Sequence, residues 1–186
     1  RILKTLVTSP ESQSVFVWGQ NGSGRSHLCQ AVYQLADDEN VKAAYLALSE
    51  KGIEPQVLNQ LEQFSIVILD DLDAVVGDPE WDEGLFHFYN RLKEAAGRLL
   101  MTSTKAPASY EEVLPDLKSR LAWDLVYQLE ELADADKIQA LQSRAKERGL
   151  KLSLETGQYL LNRLPRDTHQ LFAILDQLDH QSMAQK

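Results

Sequence analysis

The feature that most constrains this chain is the run Gly19-Gln-Asn-Gly-Ser-Gly24-Arg25-Ser26. A short apolar stretch, Ser14-Val-Phe-Val-Trp18, leads into it, and Leu28, Ala31, Val32 and Leu35 follow at helical intervals. Taken alone, the octet reads more readily as a glycine-rich turn with no ligand. Between a strand and a helix it has the spacing of a phosphate-binding loop, in which glycines let backbone N–H groups converge on an anion at a helix N-terminus. Gly22, Ser23, Gly24, Arg25, Ser26 and His27 are therefore the expected nucleotide contacts.

The alternation continues downstream. Residues 43–48 read as a strand, 54–63 as a helix with Val57, Leu58 and Leu61 inward, and 65–69 as a buried strand. Residues 81–96 carry Leu85, Phe88, Tyr89 and Leu92 on one helical face, and 98–102 and 125–129 supply a fourth and a fifth strand. Near-continuous apolar strands of this kind belong to parallel sheets covered on both faces. Beyond Glu130 only helical patterns follow. Asp134 is placed to cap a helix over 135–148 that Gly149 ends, Ser153 to cap one stopping near Pro165, and Asp167 to cap a third bearing Leu171, Ile174, Leu175 and Leu178. The expected architecture is α/β, a five-stranded parallel sheet flanked by helices over 1–130, followed by a small three-helix domain over 131–186.

The loop has the form of a Walker A motif with one departure, Arg25 where lysine is usual. Arginine keeps the charge, but its planar fork cannot reproduce a compact ammonium between the β- and γ-phosphates. Binding should survive better than hydrolysis. Ile66-Val-Ile-Leu-Asp-Asp71 resembles a Walker B motif, a buried strand delivering two carboxylates where ligands sit in open α/β sheets. Asp70, with the Ser26 hydroxyl, is the expected Mg2+ ligand, since hard cations take oxygen donors. Asp71 stands where the residue that polarises the attacking water belongs, one methylene shorter than the usual glutamate. Paired aspartates could also simply cap the next loop; the phosphate loop upstream favours the functional reading.

Composition narrows the partners. Of 186 residues, 44% are hydrophobic and 25% charged, as in an ordinary globular protein with no candidate membrane span. A net charge of −9 argues against a broad direct grip on nucleic acid, so DNA contact is expected to be indirect. One cysteine, Cys29, excludes a disulfide framework, and the N-terminus lacks a secretory apolar region, so a cytoplasmic setting is expected. Cys29 reads as a small buried hydrophobe, Trp81 and Trp123 as packing anchors, and the acidic run 78–83 as a solvated loop leading into a helix. The four histidines have no metal-site spacing.

Both motifs, the strand followed by Thr102-Ser-Thr104, an arginine ahead of the last strand, and the helical appendage together resemble the AAA+ architecture over essentially the whole chain. Gly24-Arg-Ser-His-Leu28, Phe88-Tyr-Asn-Arg91, Leu114-Pro-Asp-Leu-Lys-Ser-Arg-Leu-Ala-Trp123 and Leu175-Asp-Gln-Leu-Asp179 narrow the resemblance to the DnaA-related AAA+ proteins, and within them to the Hda group. Carried over by position, Thr104 falls at the sensor I place, where aspartate is more usual. Arg120 matches the box VII arginine, which in this family points toward nucleotide held by a neighbouring subunit. Such a finger accelerates hydrolysis by roughly 10³–10⁵ in well-studied cases. The alternative for Arg120 is a surface arginine beside an acidic neighbour. His169 stands where the sensor II arginine should lie, with Arg166 one turn earlier as a substitute.

The resemblance implies a regulatory AAA+ protein that holds ADP (or ATP) with Mg2+, docks on DnaA and uses Arg120 to promote hydrolysis of the ATP on DnaA, preventing re-initiation of replication. With Arg25, Thr104 and His169 all altered, little intrinsic turnover is expected. Relatives also bind the DNA polymerase sliding clamp through an N-terminal peptide. No Gln-x-x-Leu-type segment precedes Arg1, so either the chain is truncated there or clamp binding is absent. A homodimer is left open. The rival readings are a self-contained AAA+ ATPase or helicase loader, which a measurable ATPase and nucleotide-dependent oligomers would favour, and an origin-binding initiator, against which the acidic charge counts.

Overall fold

The structure, a computed structural model, describes residues 1–163 other than positions 12, 132, 148 and 151. It contains two compact units, one formed by 1–19 and 25–129 and the other by 130–186 together with the loop 20–24. In the first unit, five strands, β1 (Val15–Trp18), β2 (Ala43–Ala47), β3 (Ile66–Asp70), β4 (Arg98–Ser103) and β5 (Leu125–Gln128), form one sheet in the order β2-β3-β4-β1-β5. All pairings are parallel. All five C-terminal ends therefore meet at one edge, where Trp18 pairs with Ser103 and Ala47 with Asp70.

Side chains alternate across the sheet with period two. Val15, Val17, Ile66, Ile68 and Leu100 face one core, which α1 (Ile2–Thr8) covers with Leu6 and Val7, and α2 (Arg25–Asp38) with Cys29, Val32 and Ala36. Phe16, Val67, Leu69, Leu99 and Met101 face the other, which α3 (Pro79–Glu94) covers with Leu85, Phe88, Tyr89 and Leu92, and α4 (Pro115–Trp123) with Leu117 and Leu121. The α/β class and parallel sheet agree with the sequence reading.

Several local expectations need correction. Residues 54–63 are not an α-helix but two short 3-10 turns, Pro55–Leu58 and Leu61–Gln63, because Gln60 between them takes a left-handed φ of 70°. Leu58 is buried as expected, whereas Val57 is exposed. The acidic run 78–83 is the start of α3: Asp78 caps it through the N–H groups of Glu80 and Trp81, and Pro79 occupies its first turn. Asp82 is buried, accepting from the Gly77 and Leu114 N–H groups at 3.0 and 2.9 Å. Trp81 is buried, but Trp123 is not a packing anchor: its side chain is 71% exposed. Helices α1 and α4 lacked a long apolar period and were not expected.

In the second unit, α5 (Asp134–Glu147) and α6 (Leu154–Arg163) pack through Ile138, Leu141, Ala145 and Leu161. Gly149 at φ 74° and the Leu150 N–H bond back to Ala145 end α5. The Ser153 hydroxyl accepts from the Thr156 N–H, capping α6. The expected third helix, with Arg166 and His169, lies outside the described residues. Among the described residues no helix is long and apolar enough to cross a membrane.

Candidate functional site

The period-two pattern that buries Ile66 and Ile68 beneath α2 carries the next residue of that face, Asp70, to the end of β3 on the same side. Asp70 is 1% exposed. Its Oδ2 accepts from the Tyr45 hydroxyl of β2 at 2.8 Å, and its Oδ1 from the Thr102 hydroxyl of β4 and the Cys29 thiol of α2. Among the described residues, the groups bonded to this buried carboxylate are neutral. Burial and the Asp70 charge push the Cys29 thiol and the Tyr45 phenol well above their ordinary pKa values. Cys29 is thus a buried, inert donor, close to its sequence reading. Ser26 lies one turn before Cys29 on the same stripe of α2.

Asp71 leaves the strand in the left-handed region, φ 57° and ψ 51°. Its N–H donates to the Thr102 hydroxyl at 3.0 Å. That turn sends its carboxylate away from Asp70: Oδ1 pairs with Arg25 Nη2 at 3.2 Å and Oδ2 accepts from Ser49 Oγ at 3.0 Å. Arg25, the first residue of α2, also donates to the Gly19 carbonyl at 3.0 Å. The cation of the loop is therefore held by the second acid of the Asp-Asp pair.

The loop itself is a tight turn, with Ser23 N–H donating to the Gln20 carbonyl at 3.1 Å. Gly22 and Gly24 have φ of 84° and 95°, which a side chain would strain. Ser23 Oγ is buried with no hydrogen-bond partner among the described residues, a donor that an anion would satisfy. His27 stands in the first turn of α2.

Thr104 is engaged elsewhere. Its hydroxyl and N–H donate to Asp73 at 2.6 and 2.9 Å. Burial acts to raise the Asp73 carboxyl, but the Thr104 hydroxyl and then backbone N–H groups outweigh it and hold the group below the ordinary carboxylate value. Arg120, half-buried on α4, lies over the Trp123 ring, Cζ 5.2 Å from its centroid. The fold thus links Asp70 and Asp71 through Thr102 and ties Arg25 to Asp71, and leaves Thr104 and Arg120 in contacts of their own. Thr102, Tyr45 and Ser49 were missed as site residues. The available signal was that Thr102 shares a strand face with Leu100; that β4 lies beside β3 is a fact of topology alone.

The family model of the bacterial DnaA ATPase domain matches residues 4–128, and that of the Hda lid domain matches residues 134–186. Domain III of the Thermotoga maritima replication initiation protein DnaA superposes with a TM-score of 0.81 at 20% identity, over 100% of this chain and 83% of that one. A replication initiator DnaA bound to AMPPCP and single-stranded DNA gives 0.77 at 21% identity, over 95% of this chain and 59% of that one. AMPPCP-bound DnaA from Aquifex aeolicus gives 0.76 at 20% identity, over 95% and 58%. The chain thus spans about three fifths of the length of the latter two. At these identities the structures speak for the fold, which is that of an AAA+ domain. With the DnaA ATPase model matching two thirds of its length and the Hda lid model matching its C-terminal part, the chain belongs to the bacterial DnaA ATPase-domain family, as an Hda-type member of it.

Proposed function

We propose that this protein is a regulator in the DnaA-related replication system that holds ADP and stimulates hydrolysis of ATP bound to DnaA through Arg120. The observation that carries this reading is the Arg25–Asp71 pair: the cation that should meet the γ-phosphate and the acid that should polarise water are bound to each other. A site so arranged keeps a nucleotide better than it hydrolyses one. The Hda lid match supports a regulatory role, because it joins this chain to a subgroup within the initiator family.

The residues present fit a magnesium nucleotide. Buried Asp70, bonded to neutral donors among the described residues, and Ser26 one turn from Cys29 would hold the ion, while the Ser23 hydroxyl, which has no hydrogen-bond partner among those residues, and the glycine loop would meet phosphate. Bound Mg2+ neutralises phosphate charge; the chain's own part is to orient the nucleotide and keep it. His27, Thr104, Arg166 and His169 complete the proposed contacts, with Thr104 acting once it exchanges Asp73 for the ligand. The proposed division is a nucleotide-binding base over 1–130 and a helical lid over 131–186. An N-terminal segment ahead of Arg1 is the proposed route to the sliding clamp.

The test uses the full-length protein: the rate at which ATP preloaded on DnaA becomes ADP, with DNA-loaded clamp present, for wild type and Arg120→Ala. Acceleration that the variant loses is the expected result. No acceleration by nucleotide-loaded wild type would overturn the reading in favour of a self-contained ATPase.

A further inference from the structure

Trp123 is the most exposed large apolar side chain among the described residues, at 71%. A tryptophan left in water on the surface of a folded domain calls for a reason, since burial of its ring is strongly favourable. It ends α4, the helix that carries Arg120, and stands one turn from that arginine on the outward side of Leu117 and Leu121. The Arg120 guanidinium lies over the indole at 5.2 Å from the ring centroid, and its N–H groups meet no acceptor among the described residues. This arrangement has a consequence that a salt bridge would not. A carboxylate partner would orient the guanidinium by consuming its donors, whereas an aromatic face orients the plane and leaves every N–H edge available to an anion.

The platform beneath is held at both ends. At the entry to α4, the Leu114 N–H donates to the buried Asp82 of α3 at 2.9 Å. At its exit, Asp124 accepts from the Tyr89 hydroxyl at 2.8 Å and from Lys93 Nζ at 3.2 Å, and Lys93 donates also to Ser14 Oγ at 2.9 Å, just ahead of β1. Clamping the helix fixes the Cα of Arg120, but three or four free torsions would still disperse its guanidinium. Among the described residues, the side chain that lies against the guanidinium itself is Trp123.

We propose that Trp123 is the positioning residue for Arg120, an aromatic shelf that holds the guanidinium plane outward with its donors unused, ready for the triphosphate carried by a partner AAA+ subunit. This rests on Arg120 acting in trans, as proposed above. Orientation matters most when charge develops on the transferred phosphoryl group, so loss of the shelf should lower the rate constant at saturation more than the concentration needed to reach it.

The experiment measures single-turnover hydrolysis of ATP preloaded on DnaA, titrated with full-length, ADP-loaded protein: wild type, Arg120→Ala, Trp123→Ala and Trp123→Phe. The expected result is no stimulation by Arg120→Ala, a saturating rate lowered by about tenfold in Trp123→Ala with its half-saturating concentration within about twofold of wild type, and most of the rate restored in Trp123→Phe, as misorientation rather than lost binding requires. Trp123→Ala at the full saturating rate, or altered only in half-saturation, would overturn the shelf while leaving Arg120 as the finger. Trp123→Phe as impaired as Trp123→Ala, with ADP binding intact in both, would also overturn it. Stimulation that survives in Arg120→Ala would overturn the reading on which the shelf rests.

Discussion

A buried guanidinium between two acceptors behaves differently from the ammonium that usually occupies its place. Arg25 spans the Gly19 carbonyl and Asp71 because its fork presents several donors in one plane. Lysine gathers its donors on one nitrogen, whereas the two acceptors here are met from separate nitrogens, Nη1 and Nη2, so a point ammonium is poorly placed to span them. Arg25→Lys should therefore release Asp71 and raise intrinsic ATP turnover by about tenfold, the equivalent of roughly 1.4 kcal/mol of barrier. Phosphate release under multiple turnover measures it, and an unchanged rate would clear the ion pair of suppressing hydrolysis. Asp73 supplies a pH handle on the neighbouring loop. Its folded pKa lies below the ordinary 3.8, so the stability it contributes is complete above that value and is lost as pH falls through the lower folded one. Asp73→Asn should accordingly be less stable than wild type at pH 7, and the gap should narrow on acidification below about 3.8. Urea midpoints across that range test the sign, and a constant gap would mean the carboxyl is not held by Thr104.

Among the elements, α1 shows how a short helix without a strong apolar period is kept in place. Arg98, buried at the start of β4, directs Nη1 to the carbonyls of Leu6, Val7 and Ser9 at 2.6, 3.1 and 2.9 Å. These are the orphan acceptors of a helix C-terminus, met here by a cation. Burial lowers the Arg98 pKa from its ordinary value, and its Nε is buried without a partner among the described residues, so the grip on α1 is what compensates. Replacement by methionine fills the space but strands the carbonyls, and should cost about 3 kcal/mol. Urea denaturation gives the cost; amide exchange should show α1 opening separately from the sheet. A loss under about 0.5 kcal/mol, the scale of an ordinary surface change, would contradict this account of α1.

Across the whole molecule, ligand linkage reads the site out as stability. ADP at about a hundred times its Kd should raise the free energy of unfolding by roughly 2.7 kcal/mol. If Asp70 holds the ion, Asp70→Asn should keep the shift seen with ADP and chelator and lose the further shift that Mg2+ adds; an equal magnesium increment in both proteins would remove Asp70 from the metal. How much of this was legible beforehand follows from what each feature depends on. The strand, glycine loop and helix around 14–35, the apolar strands, the helix caps at Ser153 and Gly149 and the Asp70–Asp71 pair rest on local periodicity and backbone chemistry, which a sequence carries directly. Helix 54–63 was misread because apolar spacing says nothing of Gln60 adopting a positive φ. Helix α4 was missed because two leucines make no period. The partners of Asp70 come from three elements outside its own strand, and the capture of Asp71 by Arg25 joins residues 46 positions apart. Such contacts exist only once β4 is inserted between β1 and β3. Sequence alone determined the class of fold and the kind of ligand, because strand and loop chemistry are local. Tertiary structure decided which acid meets neutral donors, which one takes the loop cation and that Trp123 is exposed, because these depend on which neighbours the sheet order supplies.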